Sequence, residues 1–204
     1  RSPGAVRFFD INLRPPHDSR DLLHEWMRGA DWLKLNLDEL AAVRGVERIP
    51  FAESRRIRGI FAERAFPGSI VVNSLGKRFC NEAEGYLEFG DAMYKDYSAT
   101  GGKNVPAWCI FDAHFRFHYA MGPLMPAQIM PDSRLRNEWL GSVYWKADTL
   151  DELARQIGVD PAGLGETVAK MNAYARSGKD ADFGRGDSVF DRYYGDLNVK
   201  PNPC

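Results

Sequence analysis

No stretch of these 204 residues approaches the roughly 20 consecutive apolar residues that a membrane-spanning helix needs. The sequence also has no surplus of charge of one sign, since 27 basic and 28 acidic residues are interspersed and give a formal net charge of -1. Nucleic acids and anionic membrane surfaces bind proteins through clustered positive charge. These two absences argue against a membrane span and against a nucleic-acid partner.

Cysteine is scarce, and the three in the sequence are Cys80, Cys109 and Cys204. An odd count without metal-ligand spacing favours two buried thiols and a terminal one, as expected in a reducing cytoplasm. His114 and His118 stand four residues apart and could face one way on a helix, but no third ligand has a suitable spacing. Their aromatic neighbours favour packing, so no metal site is predicted.

A glycine-rich dinucleotide loop is also missing from the sequence. Such a loop presents G-x-G-x-x-G at the start of a helix, where backbone amides hold the pyrophosphate, and no such run occurs here. The two glycines around Arg185, in FGRGD, suggest a phosphate loop only weakly, because no strand precedes them. A turn is predicted there instead.

What remains is the composition of a folded globular protein, 44% hydrophobic and 27% charged, long enough for one or two domains. Residues 6–11 and 32–35 are short apolar runs that predict buried strands, and prolines end the first. Between them, Asp18 or Ser19 can cap a helix whose apolar residues follow helical spacing. This order predicts a parallel crossover unit of an α/β domain.

The runs FDINLRPP and ADWLKLNLDEL, within residues 5–46, resemble the middle of a PfkB-type, ribokinase-like sugar kinase. In that family an N-x-x-E motif helps to organise magnesium and phosphate, and Asn36 and Glu39 match it. The resemblance implies a kinase fragment that uses ATP and magnesium, although the family's G-A-G-D-like anion hole is missing from the sequence. In the structural alternative, Asn36 caps a helix and Glu39 lies in its first turn.

A junction is predicted at residues 51–66, where the strand pattern is lost. Glu53 and Glu63 are interleaved with the basic residues of this region, which favours a solvated helix face over a phosphate-binding patch. The basic residues concerned are Arg55, Arg56, Arg58 and Arg64.

Short strands open the second segment, residues 67–204. Ile70–Val72 and Lys77–Cys80 flank a short glycine-containing loop and predict a hairpin. The run PAWCIF, residues 106–111, predicts a further strand.

Two helices are predicted later in this segment. Thr149 with Glu152 forms a capping box for a helix that stops near Gly158. Asp160 and Pro161 begin a second helix, and Gly178 ends it. Strands followed by helices predict an α+β unit.

Three runs of the second segment resemble the FAD-dependent 3-ketosteroid dehydrogenases, within the wider fumarate-reductase-like flavoproteins. In the family's order, they are PGSIVVNSLGKRFCNEAEGY, DTLDELARQIGVDPAGLGETVAKMNAYARSGKDADFGRG and YYGDLNVKPNPC. The resemblance implies FAD as cofactor and an apolar, steroid-like substrate. It also implies that residues 67–204 form a cap-like unit that closes the substrate over the flavin.

The resemblance singles out Tyr86 as a catalytic residue. Fumarate reductases of this family carry a proton-delivering arginine at the fifth position after the Asn of an N-E signature, and steroid dehydrogenases carry a tyrosine there. In this sequence the signature is Asn81-Glu82 and the fifth position is Tyr86. Tyr86 is thereby implied to abstract a proton, with Asn81 and Glu82 as supporting residues. In the structural alternative, Tyr86 is an amphipathic residue at the edge of a core.

The sequence thus predicts an α/β strand-helix-strand fragment, residues 1–50, followed by the cap part of an FAD-dependent oxidoreductase, residues 67–204. The family's FAD-binding G-x-G-x-x-G unit and glycine-rich C-terminal segment are not found, so the isolated chain is expected to be inactive and not to retain flavin. A natural fusion, an assembly of two genes, an artificial chain and a non-catalytic remnant all stay open.

Overall fold

The chain divides into two compact units, Arg1–Arg58 and Gly59–Cys204. The division falls inside the segment 51–66 that the sequence predicts as a junction, while the assignment of the first unit to a ribokinase-like fragment stays a prediction. The computed structural model describes residues 8–10, 32–34 and 60–204.

In the first unit, strands β1 (Phe8–Asp10) and β2 (Trp32–Lys34) pair in parallel. Parallel neighbours need a crossover connection, so the predicted parallel arrangement is confirmed for the described residues. The helix predicted between them, and the motif residues Asn36 and Glu39, lie outside the described residues.

The second unit contains a small antiparallel sheet with helices around it. Strand β3 (Ser69–Val72) pairs with β4 (Trp108–Phe111), so that Ile70 lies opposite Ile110. Strand β4 confirms the prediction made from PAWCIF. Among the described residues, no helix has the length and apolarity needed to cross a membrane. The helices are α1 (Tyr86–Thr100), α2 (Ala113–His118), α3 (Leu150–Ile157), α4 (Pro161–Ser177) and α5 (Val189–Tyr194).

Helices α3 and α4 begin and end where the sequence predicts. The Thr149 hydroxyl accepts a hydrogen bond from the Glu152 amide at 3.2 Å, and Gly158 ends α3 in the left-handed region. The Asp160 carboxylate accepts from the Gly163 amide at 3.0 Å and caps α4.

Strand β3 is buried on both of its faces, which explains its unbroken apolar run. Ile70 and Val72 face one cluster, which includes Ile110 of β4, Ala154 and Ile157 of α3, and Leu164 of α4. Val71 faces the opposite cluster, in which Phe79 and Cys80 pack with Phe89, Ala92 and Met93 of α1. The strand therefore lies between α3 and α4 on one side and α1 on the other.

The hairpin predicted over residues 70–80 is wrong. Residues 77–80 form no strand, and their ladder pairing with β3 is limited to a single antiparallel bridge between Val72 and Arg78. The Asn73 side chain closes the loop instead, accepting from the amides of Leu75 at 3.0 Å and Lys77 at 3.2 Å. The Val71 amide donates to a side chain rather than to a neighbouring strand. Side-chain acceptors thus compete with the hairpin ladder along this edge.

Candidate active site

The loop that leads from β3 to α1 is organised around one buried carboxylate, that of Glu82. Its Oε1 accepts from the Val71 amide at 3.0 Å and from Arg78 Nε at 2.8 Å. Its Oε2 accepts from Arg78 Nη2 at 2.7 Å and from Arg185 Nη1 at 3.2 Å. Glu82 is 0% exposed, and these hydrogen bonds offset the free-energy cost of burying its charge.

The charges around Glu82 decide its ionisation. Burial alone would raise the pKa of the Glu82 carboxyl, but the charge of Arg185 and the paired Arg78 hold it below its usual value. Arg78 also binds Asp180 at 2.8 Å and, against the effect of burial, lowers the pKa of that carboxyl. Glu82 is therefore a fixed anion, suited to holding the loop and not to exchanging protons.

Arg185 lies in the FGRGD turn, and the predicted turn is confirmed. Gly184 and Gly186 have φ of 67° and 88°, a region that residues with a Cβ rarely enter, and they let the chain fold around the arginine. The guanidinium is 1% exposed and donates to the carbonyl oxygens of Ser69 at 2.6 Å and Phe66 at 2.9 Å. Both Nη atoms of Arg185 and the backbone amides of Arg185 and Gly186 donate to protein groups, so this turn does not fit a phosphate.

Arg64 is buried, which corrects the prediction that it lies on a solvated helix face. It follows Glu63 in a short 3-10 turn, Glu63–Ala65, and is 4% exposed. Its guanidinium donates to the carbonyl oxygens of Glu82 and, at 2.7 Å, of Glu84. The interleaved glutamates give no sign of this, because the acceptors are backbone carbonyls about twenty residues further along the chain.

Asn81 connects the loop to the distant helix α5. Its Nδ2 donates to Asp191 Oδ2 at 2.9 Å, and its Oδ1 accepts from the Ala83 amide at 2.9 Å. Asp191 also accepts from the Gly186 amide at 2.9 Å and from the Ser188 hydroxyl at 2.6 Å. One amide side chain thus shapes the loop and anchors α5 beside it.

Tyr86 is the first residue of α1 and is 56% exposed. Its ring contacts Phe61 edge to face, with ring centroids 6.5 Å apart. The environment of Tyr86 differs from that of the other two predicted site residues, because the side chains of Asn81 and Glu82 are buried. The Tyr86 ring therefore lies at the surface, while the buried side chains of Asn81 and Glu82 hold the loop that precedes it.

Tyr86 borders an open cavity of about 430 Å³. This volume is within the range of about 300–1,000 Å³ that small-molecule sites occupy. Most side chains that line it are apolar, and two of the lining residues, Glu84 and Glu88, are acidic. The lining residues are Phe61, Ala62, Arg64, Ala65, Ala83, Glu84, Gly85, Tyr86, Leu87, Glu88, Phe190 and Tyr194.

The histidine pair lies on α2, with the two ring centroids 4.4 Å apart. Within residues 60–204 no group of three or more potential ligands is placed to hold a metal ion.

The thiols of Cys80 and Cys204 are buried and that of Cys109 is partly covered, so the terminal cysteine is itself buried. Burial raises the pKa of Cys109 to about 12 and of Cys204 to about 11, which keeps both protonated near neutral pH.

The site depends on four residues that the sequence did not assign to it: Arg64, Arg78, Arg185 and Asp191. All but Arg78 act across a long separation, and Arg185 meets Glu82 across 103 positions. The signal in the sequence was limited to a basic residue between two glycines in FGRGD.

A family model described as FAD binding domain matches residues 26–203 of this chain. The match begins inside the segment that resembles a sugar kinase, and the comparisons give no support to ATP or magnesium as cofactors.

Among curated relatives, 3-oxosteroid 1-dehydrogenase of Mycobacterium tuberculosis (strain ATCC 25618 / H37Rv) is 47% identical over 146 residues, which make up 70% of this chain and 25% of the relative. The protein of the same name from Comamonas testosteroni is 50% identical over 106 residues, which make up 52% and 18%.

A crystal structure of 3-ketosteroid delta1-dehydrogenase from Sterolibacterium denitrificans, in complex with 1,4-androstadiene-3,17-dione, is 62% identical with a TM-score of 0.68. The match covers 72% of this chain and 26% of that chain. This chain therefore spans about a quarter of the length of these relatives. The resemblance to the FAD-dependent 3-ketosteroid dehydrogenases is confirmed, and the chain belongs to the FAD binding domain family.

Proposed function

We propose that this chain forms the substrate-cap part of an FAD-dependent oxidoreductase that dehydrogenates 3-ketosteroids, with Tyr86 as the residue that accepts the proton. The observation that supports this most is the place of Tyr86, at the start of α1 and at the edge of the apolar cavity. A phenol beside an apolar cavity can reach a carbon atom of a bound hydrocarbon skeleton.

The reaction removes two hydrogens from neighbouring ring carbons and leaves a carbon–carbon double bond. FAD, when bound, supplies the acceptor for the hydride. The Tyr86 oxygen takes the other hydrogen as a proton, from the carbon that the adjacent 3-keto group makes acidic. The electron pair of that broken carbon–hydrogen bond becomes the new double bond as the hydride leaves.

The charges around the cavity favour an uncharged substrate over a dicarboxylate. Among the described residues that line it, Arg64 is the one cation, and its guanidinium is engaged with the carbonyl oxygens of Glu82 and Glu84. The carboxylates of Glu84 and Glu88 would repel an anionic substrate. An uncharged steroid ketone needs no cation and is not repelled by the carboxylates. It buries apolar surface against Phe61, Leu87 and Phe190.

Asn81 and Glu82 support this function without reacting. Glu82 is a buried anion held by two arginines, and Asn81 ties the loop to α5, whose Phe190 and Tyr194 form another wall of the cavity. The FGRGD turn, filled by Arg185, does not fit the pyrophosphate of FAD. We place no flavin contact on the described residues.

The test is a hybrid enzyme in which the unit Gly59–Cys204 replaces the corresponding part of the Mycobacterium tuberculosis relative. We expect the hybrid to bind FAD and to reduce an artificial electron acceptor with 3-ketosteroids but not with succinate. Turnover of dicarboxylates without turnover of steroids, in a hybrid with full FAD content, would contradict the proposal.

A further inference from the structure

We propose that Arg64 is a positioning residue that fixes the backbone before Tyr86, packs on the ring of Phe89 after it, and so sets the direction of the Tyr86 hydroxyl. The inference deepens the proposed function and rests on it. Arg64 acts through hydrogen bonds to the backbone of the loop, so its effect on catalysis passes through the placement of Tyr86.

The Arg64 guanidinium contacts residues on both sides of Tyr86 in the sequence. Before Tyr86, the guanidinium donates to the carbonyl oxygens of Glu82 and Glu84. After Tyr86, the ring of Phe89 lies under the guanidinium, with Cζ 4.3 Å from the ring centroid. One planar group therefore holds the loop that precedes the tyrosine and the first turn of the helix that follows it.

Arg64 can hold this loop because its own backbone is held in turn. Its carbonyl oxygen accepts from the Ser69 hydroxyl at 3.1 Å and from Arg185 Nη2 at 3.3 Å. Ser69 begins β3, and Arg185 is bound to the Glu82 carboxylate. The clamp is thereby fixed to the sheet and to the same buried anion that holds the loop from beneath.

The start of α1 needs such a clamp because its N-cap residue, Gly85, has no side chain with which to cap the helix. The first helical bond, from the Phe89 amide to the Gly85 carbonyl oxygen at 3.0 Å, leaves Tyr86 in the least constrained turn of the helix. Hydrogen bonds to the two preceding carbonyls restrict the direction in which this turn begins.

The decisive variant is Arg64→Lys in the hybrid enzyme, which keeps the charge but loses the two-pronged donor. We expect kcat for 3-ketosteroids to fall about 10- to 100-fold, because a misplacement of about 1 Å can cost that much. Steroid affinity, measured as Kd, should stay within about threefold of the parent. In the 204-residue chain, the amides of residues 83–89 should exchange hydrogen faster than in the parent.

The matched control is Arg116→Lys. Arg116 also donates to two backbone carbonyls, those of Met125 at 2.5 Å and Met130 at 2.8 Å, but it does not contact the Tyr86 loop. The Arg116→Lys variant should keep kcat within about twofold of the parent and leave amide hydrogen exchange at residues 83–89 unchanged. Any general cost of losing a guanidinium clamp appears in this control as well.

Tyr86→Phe separates this inference from the proposed function. If Tyr86→Phe lowers turnover but Arg64→Lys keeps kcat within about twofold, the positioning role is wrong and the proposed function stands. If Tyr86→Phe keeps parental turnover, the proposed function itself fails. A parallel loss of kcat, steroid affinity and thermal stability in Arg64→Lys would also overturn the positioning role.

Arg64→Gln serves where the lysine variant does not fold, since its amide can still donate to one carbonyl. We expect the same selective loss of kcat from it. Failure of both Arg64 variants to fold, with Arg116→Lys folded, would make Arg64 a residue of the fold alone and overturn the proposal.

Discussion

At the scale of single residues, Glu82 is a buried anion that pairs with two arginines. Glu82→Gln removes the buried charge, which leaves Arg185 without its anion and Arg78 with Asp180 alone. Breaking a buried pair of this kind costs about 3–5 kcal/mol, and we expect the free energy of unfolding at pH 7 to fall by that amount. Urea denaturation of the 204-residue chain measures it.

The control is Glu166→Gln, which breaks the exposed pair with Lys77 and should cost about 1 kcal/mol or less. The difference in the free energy of unfolding between the parent and Glu82→Gln should also depend on pH. The pKa of Glu82 is lowered in the folded chain, so its stabilising effect is complete above the unfolded pKa of about 4.3 and is lost as pH falls through the folded pKa. The difference in unfolding free energy between the parent and Glu82→Gln should become smaller below about pH 4. A difference that stays constant there would count against an ionised Glu82.

Part of the site could be predicted from single residues and part could not. Asn81, Glu82 and Tyr86 stand together in one motif, so the family resemblance could single them out. Arg64 looked like one of several arginines in a charged segment, because nothing in its neighbourhood indicates that backbone carbonyls about twenty residues away are its acceptors.

At the scale of elements, the N-terminus of α4 packs directly against the loop that follows β3. A Cβ at Gly163 would overlap the carbonyl oxygen of Leu75. We expect Gly163→Ala to lower the free energy of unfolding by about 1–3 kcal/mol, because backbone at such a contact has no room to move.

Gly165, two residues further along α4, provides the opposite case. A Cβ there would meet no atom within 4 Å, and alanine favours a helix interior over glycine by about 0.5–1 kcal/mol. Gly165→Ala should therefore stabilise the chain in the same denaturation experiment. A Gly163→Ala variant as stable as the parent or more stable would show that the contact between α4 and Leu75 is wrong.

Elements whose boundaries depend on local chemistry were predictable from the sequence. The Thr149 and Asp160 caps and the terminal glycines of α3 and α4 act within a few residues. The hairpin failed for the opposite reason, since the partner of β3 is β4, more than thirty residues away, and the nearer edge is taken by the Glu82 carboxylate. A short apolar run predicts a strand but does not identify its neighbour.

At the scale of the whole molecule, the family assignment rests on the family model that matches residues 26–203 and on the identity with the relatives. The parallel pairing of β1 and β2 could be predicted from their spacing. The kinase-like motif at Asn36 and Glu39 falls outside the described residues, and the family match that begins at residue 26 overlaps it. The proposed function therefore rests on the cavity beside Tyr86.

The most direct test of this account is Tyr86→Phe in the hybrid enzyme, with the rate of flavin reduction by a 3-ketosteroid measured in a rapid-mixing experiment. The variant keeps the ring and its contact with Phe61 but loses the hydroxyl, so FAD content and steroid Kd should stay near parental values. The reduction rate should fall about 10²–10⁴-fold, the usual contribution of a general base. Tyr193→Phe, at an exposed tyrosine of α5, should keep the parental rate. A parental rate in Tyr86→Phe would contradict the account.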